Sequence, residues 1–180
     1  GAVGLSDVTN DFGAVSATLT GASQALTIKN NTDINIGVDE TGAGLIGLTT
    51  NAGAINLNSA SGNVLVNAAV QTSGGALTST GTDFTNTAAI TTSGGAVNLD
   101  AQTGDINIDA NITTFGGAFT ATGASTFDSR GKAITTSGQS SRDGGVVTIT
   151  TSTGDLSIGG INSDGAGGGY DGGTVTLVAA

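Results

Sequence analysis

Residues 95–114 read GAVNLDAQTGDINIDANITT and contain the clearest repeat unit of the chain. Apolar and polar side chains alternate along it, which is the period of strands that bury one face. Its apolar positions are Val97, Leu99, Ile106, Ile108 and Ile112. The alternation predicts three short strands at 97–99, 105–109 and 111–113, with turns at 93–94, 101–104 and 115–116.

A piece of this size is not stable alone. About five or six buried aliphatic side chains contribute roughly 1.5 to 3 kcal/mol each. Ordering about twenty residues costs about 1.5 kcal/mol for each of them. The stretch therefore needs copies above and below it to cover its apolar face.

The chain supplies those copies, each opening on a glycine followed by a small or apolar residue. The unit starts are Gly13, Gly53, Gly75, Gly95, Gly117, Gly145 and Gly173. From Gly53 onward the numbers of successive starts differ by 22, 20, 22, 28 and 28, and the longer interval from Gly13 to Gly53 corresponds to two units. A self-similar period near twenty residues indicates a solenoid.

The predicted fold is an all-β parallel β-helix with about 20 to 22 residues and three short strands in each coil. About eight coils stacked at about 4.8 Å give a rod about 40 Å long. We expect one solenoid over 1–180, with a partial coil at 1–12, regular coils at 13–136 and enlarged turns at 137–180, as a segment of a longer protein. Aliphatic units alternate with Thr-rich units whose bulk is Phe, so each ring is expected between layers of Ile and Val rather than on another ring.

The core and one corner of each coil follow from the same alignment. The predicted core residues are Ile55, Leu57, Val64, Val66, Leu77, Phe84, Val97, Leu99, Ile106, Ile108, Ile112, Phe119, Phe127, Ile134, Val147, Ile149, Leu156 and Ile158. Gly-Gly pairs recur at 74–75, 94–95 and 116–117. We expect φ > 0 and close stacking there, with alanine costing on the order of 1 kcal/mol at each.

Composition limits the possible functions. Four Lys and Arg residues against 14 acidic residues give a net charge of -10, which repels phosphate backbones and anionic lipids. Nucleic acid and anionic membrane surfaces are therefore not expected as partners, and membrane insertion is not expected because no apolar run is long enough to span a bilayer. Without His or Cys there is no conventional catalytic triad and no imidazole or thiolate metal site. The outward Asp residues lack the aromatic platforms and basic cluster of a sugar-cleaving site, so we expect no enzymatic activity and no cofactor apart from a calcium candidate.

Three motifs resemble a known family. Gly-Ala-x-x-Leu, Gly-Asp-Ile-x-Ile and Ile-Thr-Thr-Ser-Gly-Gly units, as in residues 95–117 and their copies, look like the repeat region of filamentous-haemagglutinin-like large exoproteins, which are bacterial adhesins. The resemblance covers about residue 13 to the end. It implies a right-handed parallel β-helix, export to the cell surface or the medium, and an adhesive role.

Two insertions mark the candidate binding region. The units starting at Gly117 and Gly145 each exceed the earlier spacing by six, with the additions at 137–144 and 164–172 in the Gly-Gly corner. The candidate interaction residues are Arg142, Asp143, Asp164, Tyr170 and Asp171. Loops that grow on one face of a solenoid are common binding sites. The alternative is a flexible Gly-rich turn.

Asp143 and Asp171 are the calcium candidates. Because the two residues occupy equivalent positions in successive coils, we expect them about 4.8 Å apart, where their like charges repel. Calcium suits hard oxygen ligands and could bridge them. The repeat departs from the calcium-binding nonapeptide pattern, however, and Arg142 offers compensation instead.

Two further polar arrays occur on the coils. Asp105 and Asp155 form an Asp column, with Asn63 in the related earlier unit, and we interpret it as solvated or turn-capping. Thr-x-Thr pairs resemble the ranks of ice-binding solenoids, but Asn56 and Asn98 interrupt that face. We interpret these Thr residues as strand-favouring β-branched residues.

Three functions remain open. The first is a structural and adhesive rod that binds a cell-surface or matrix ligand, with carbohydrate among the candidates. The second is a self-assembling extracellular fibre or sheath subunit whose coil ends pair head to tail. The third is a carbohydrate-active β-helix whose enlarged loops form the cleft.

Overall fold

The computed structural model describes residues 1–7, 9–37, 47–123 and 125–180, which form 21 short strands and no helix. In chain order the strands are β1 (Val3–Leu5), β2 (Ala17–Ala22), β3 (Leu26–Asn30), β4 (Ile34–Ile36), β5 (Leu48–Asn51), β6 (Ile55–Ser59), β7 (Val64–Val66), β8 (Val70–Gln71), β9 (Leu77–Gly81), β10 (Phe84–Asn86), β11 (Ile90–Thr91), β12 (Val97–Ala101), β13 (Ile106–Ile108), β14 (Ile112–Thr113), β15 (Phe119–Gly123), β16 (Phe127–Asp128), β17 (Ala133–Thr135), β18 (Val147–Thr151), β19 (Leu156–Ser157), β20 (Gly160–Asn162) and β21 (Val175–Val178). None of these residues provides a helix that could span a membrane.

The strands pair into three parallel sheets. The first sheet has eight strands in the order β1-β3-β6-β9-β12-β15-β18-β21, the second has six, β4-β7-β10-β13-β16-β19, and the third has seven, β2-β5-β8-β11-β14-β17-β20. From β3 onward the described strands visit the first, second and third sheets in turn, and the chain then returns to the first sheet one layer further on. The fold is a parallel β-helix, as the sequence predicts. Its right-handedness stays a prediction from the resemblance, in line with the strong preference of parallel crossovers.

Equivalent residues of successive repeats lie directly over one another. Ile106 lies between Phe84 of the preceding coil and Phe127 of the following coil. The stretch 95–114 forms β12, β13 and β14. Each of these strands begins and ends within two residues of its predicted limits. Alternation therefore locates the strands, and stacking of like side chains fixes their register.

The first full coil does not begin at Gly13, which corrects the sequence prediction. Residues 13–23, GAVSATLTGAS, resemble residues 117–125, GAFTATGAS, yet the first segment contains β2 of the third sheet and the second contains β15 of the first sheet. The first-sheet strand of the early coil is β3, preceded by Gln24 and Ala25 in place of the usual Gly-Ala, and β1 pairs with it in register. The apolar residues of β3 stack on β6, and this burial outweighs the short shared motif.

All predicted core residues except two are buried. Leu156 and Ile158 are half-buried and pack against the rim of the core, which corrects the prediction for these two side chains. The reason is that β19 is an edge strand of the second sheet and no further described strand covers it. The early coils add to the core Leu19, Leu26, Ile28, Ile34, Ile36 and Leu48.

The three buried Phe rings lie between aliphatic residues of the neighbouring coils. Phe84 lies between Val64 and Ile106. Phe127 packs on Ile106 from the next coil but also meets Phe119 of its own coil, edge to face, with ring centroids 6.4 Å apart. The expectation that Phe84 and Phe127 lie between aliphatic layers rather than on a ring of a neighbouring coil is therefore confirmed, and the contact of Phe127 with Phe119 lies within one coil.

Small residues compensate for the rings inside the same coil. The coil of Phe84 carries Ser79 where the neighbouring coils carry Leu57 and Leu99. The coil of Phe119 and Phe127 carries Ala121 at the same place. Volume is thus balanced within each layer, as close packing of the interior requires.

The Gly-Gly corner combines two requirements. The first glycine has positive φ, +114° at Gly74 and +111° at Gly94, which side chains rarely tolerate. A Cβ on the second glycine, Gly75, would overlap the backbone of Gly53 in the neighbouring coil. A buried Thr completes the corner, because Thr72 Oγ1 donates to the Gly75 carbonyl. The same bond joins Thr50 to Gly53, Thr92 to Gly95 and Thr114 to Gly117.

Candidate functional site

Two loops leave the coil at this corner without disturbing it. Across the first insertion, Thr136 Oγ1 donates to the Gly145 carbonyl at 2.7 Å, and Gly145 N donates to the Thr136 carbonyl at 2.7 Å. Across the second, Ser163 Oγ donates to the Gly173 carbonyl at 3.0 Å. The corner therefore closes as in the regular coils, and the predicted insertions at 137–144 and 164–172 lie outside it.

The two loops are bonded to one another. Gly138 N donates to the Asp164 carbonyl at 2.8 Å, Gly144 N to the Asp171 carbonyl at 2.9 Å, and Ala166 N to the Arg142 carbonyl at 3.0 Å. These bonds continue the stacking of the coils out into the loops. The loops form an ordered ledge on one edge of the solenoid, rather than two independent Gly-rich turns.

Asp143 and Asp171 lie together, as their spacing predicts. Asp171 N donates to Asp143 Oδ1 at 2.9 Å. The backbone amide thus satisfies one oxygen of the Asp143 carboxylate, which gives this residue a structural role without a cation. Among the described residues no group of three or more acidic side chains is placed to hold a metal ion.

The other two predicted residues of the second loop are exposed. The Asp164 backbone amide donates to Asn162 Oδ1 at 3.2 Å. Tyr170 is 41% exposed and follows three glycines with positive φ. The structure therefore places both side chains on the outer surface of the ledge.

Arg142 points away from the two Asp residues. Its side chain lies across Gly116 and Gly94, in the space that side chains at these glycines would need. These glycines belong to the two preceding coils, whereas Asp143 bonds toward the following coil. Within the described residues Arg142 forms no ion pair, so the expected charge compensation of Asp143 and Asp171 by Arg142 is wrong.

A pocket opens beside the Arg142 side chain. Its lining residues are Ser93, Phe115, Gln139, Ser140 and Arg142, and we call it the Phe115–Arg142 pocket. Three successive coils contribute to it, since 93, 115 and 137 are equivalent corner positions. Stacking alone brings these residues together.

Of the five lining residues the sequence analysis names only Arg142 as a candidate, and Phe115 is the most distinctive of the four that it missed. It has φ of +54°, close to Ser73 at +51° and Ser93 at +55°, which occupy the same corner in earlier coils. Positive φ is uncommon for a bulky side chain and costs roughly 1–3 kcal/mol. The available signal was the change from TTSGG at 91–95 to TTFGG at 113–117.

The Asp column caps backbone amides. Asp83 Oδ1 accepts from Asp105 N at 2.8 Å, and Asp105 Oδ1 accepts from Thr126 N at 2.8 Å. Asp155 lies in the same column, because its carbonyl accepts from Phe127 N at 3.0 Å. The turn-capping interpretation is confirmed for Asp105.

Arg130, another of the four basic residues, does not line the pocket. Arg130 donates to Asp128, and these hydrogen bonds hold the pKa of the Asp128 carboxyl below its usual value and raise the pKa of Arg130.

On the first sheet, Thr78 and Thr120 alternate with Asn56 and Asn98 in one outward row, so the predicted interruption of the Thr face is confirmed.

Comparison of the chain with protein-family models, curated proteins and solved structures finds no match. The fold and its repeated coils define the class as a parallel β-helix repeat protein.

Proposed function

We propose that this chain is a rigid structural and adhesive module of a secreted or cell-surface bacterial protein. One observation carries the proposal: a continuous apolar core inside three parallel sheets, with a ledge of mutually bonded loops at a single corner. A scaffold of this kind holds a lateral binding surface at a fixed place. The resemblance of its repeats to those of bacterial exoproteins supports the location.

Rigidity follows from the way the coils are paired. Every interior strand is bonded to a strand on each side, so no interior coil can move alone without breaking two ladders. The loops share this support because their backbones bond to each other. Binding residues on the ledge are therefore preorganised, which lowers the entropy cost of binding.

Trimming the loops tests the adhesive role. In the variant, 137–144 and 164–172 are each replaced by the Ser-Gly pair found at 93–94. We expect an unchanged melting temperature, because the corner bonds of Thr136 and Ser163 do not involve the loops. Beads coated with the chain should adhere to cells or extracellular matrix, and beads coated with the trimmed variant should lose most of that adhesion. Equal adhesion of the two kinds of bead, or no adhesion by either, would contradict the proposal.

The exposed coil ends favour a second candidate, head-to-tail assembly. In β21, Val175 and Leu177 point inward but are 41% and 45% exposed, because β21 pairs only with β18 among the described strands. At the other end, in β1, Val3 is 42% exposed and Leu5 is 37% exposed. A second copy whose β1 stacks on β21 would continue both apolar columns, with Val3 over Val175 and Leu5 over Leu177.

Leu177→Asp tests this assembly. The average mass of the unchanged chain in light scattering should rise with concentration, and the variant should stay monomeric because a buried unpaired charge is costly. Thr176→Asp is the matched control, since Thr176 stacks on outward-facing Thr148 of the same sheet. A monomeric unchanged chain at high concentration, or equal behaviour of the two variants, removes the candidate.

A further inference from the structure

We propose that the Phe115–Arg142 pocket binds a sugar that carries a carboxylate. The inference gives the adhesive module a ligand class and therefore rests on the proposed function. The pocket supplies an aromatic ring, a cation without an ion-pair partner among the described residues, and three short or amide side chains. Each group matches one part of such a ligand.

Phe115 is an aromatic residue that lies outside the core. Three Phe side chains are buried, and a fourth packs against the core from its rim: Phe84, Phe119, Phe127 and Phe12. Phe115 instead lines the pocket, at a corner where earlier coils carry Ser. Its ring lies outside the buried core, so packing of the interior does not account for a Phe at this corner. A ring in this position can receive the apolar face of a pyranose.

Arg142 provides the cation. Its side chain extends along the solenoid axis over Gly116 and Gly94, which have no side chains to block it. Asp143, the nearest acidic residue in sequence, is directed to the opposite side by its bond from Asp171 N. A guanidinium without an ion-pair partner presents paired N–H donors whose spacing matches the two oxygens of a carboxylate.

Ser93, Gln139 and Ser140 surround these two groups with hydroxyl and amide functions. All three residues are exposed, and each can both donate and accept hydrogen bonds. No acidic side chain lines the pocket, although the chain carries a net charge of -10. Several small polar groups around one aromatic ring match the hydroxyls of a sugar better than they match the side chains of a peptide.

Direct titration of the full 180-residue chain tests the site. The probes are oligosaccharides that end in a sialic or a uronic acid, beside the methyl esters of the same compounds. We expect the free acids to bind and the esters to bind at least about tenfold more weakly, because the ester removes the charge that Arg142 pairs with. Raising the salt concentration should weaken binding of the acids.

Three variants assign the binding to this pocket. Arg142→Ala should weaken binding of the acids by about tenfold to a hundredfold. Phe115→Ser should weaken it several-fold while keeping the fold, because Ser occupies the same turn at Ser73 and Ser93. Arg130→Ala is the matched control: it removes the same charge at a different corner and should leave binding unchanged.

The outcomes separate this inference from the proposed function. Equal binding of acids and esters, or equal effects of Arg142→Ala and Arg130→Ala, would overturn the sugar carboxylate site. Equally tight binding of a short peptide through its terminal carboxylate would overturn the assignment to a sugar. If no acidic saccharide binds but trimming the loops abolishes bead adhesion, the inference fails and the adhesive function stands.

Discussion

Gly75→Ala is expected to lower the free energy of unfolding by about 3 kcal/mol, the upper end of the usual cost of overpacking. The added Cβ would overlap the carbonyl group of Gly53, which is backbone in the neighbouring coil. Relief requires that two coils move apart, and that movement would weaken the ladder between β6 and β9. Chemical denaturation followed by circular dichroism measures the change.

Gly13→Ala is the matched control for this prediction. The same methyl group at Gly13 meets no atom within 4 Å. Reduced freedom of the unfolded chain should then leave stability unchanged or raise it by about 0.4–1 kcal/mol. A loss of stability at Gly13 as large as that at Gly75 would show that the close approach of the coils is not the cause.

Phe84→Ala is expected to cost about 3–5 kcal/mol, as is usual for deleting a buried aromatic ring. Phe84 is 1% exposed and lies between Val64 and Ile106. Its coil already contains the small residue Ser79, so little side-chain volume in that layer can move into the cavity. Because stability in a solenoid depends on contacts between neighbouring coils, the transition should also broaden as the two halves become less strongly coupled.

Phe115→Ala is the control that separates core packing from loss of an aromatic ring. The same atoms are removed, but Phe115 lies outside the core. Its loss should change the free energy of unfolding by less than about 0.5 kcal/mol, as is usual for surface sites. Equal losses at Phe84 and Phe115 would contradict the description of the core.

The sequence predicts most of the fold because one physical signal is repeated many times. Alternation in 95–114 locates three strands, and the copies place their apolar residues in the same columns. The signal fails in the early chain. Around Gly13 a short motif imitates a coil start, while the true first-sheet strand follows Gln24 and lacks the glycine that marks later coils. Register there depends on which side chains stack, and only the structure shows that.

At the candidate site, the sequence predicts the loops but not the pocket. The bounds of both insertions follow from the lengthened period, and the structure closes the corner at those residues. The pocket is different, because Ser93, Phe115 and Arg142 come from three coils and meet only through stacking. The direction of Arg142 depends on the space above Gly94 and Gly116, which spacing in the sequence does not reveal.

The closing bonds between Thr136 and Gly145 have a consequence for engineering and for evolution. The same bond closes the corner over two residues in the regular coils and over the longer segment 137–144 here, so we expect the corner to accept foreign segments of varied length. Each further coil offers another such position about 4.8 Å along the axis. Recognition surfaces on this scaffold can thus diversify, one coil at a time, without renewed selection of the interior.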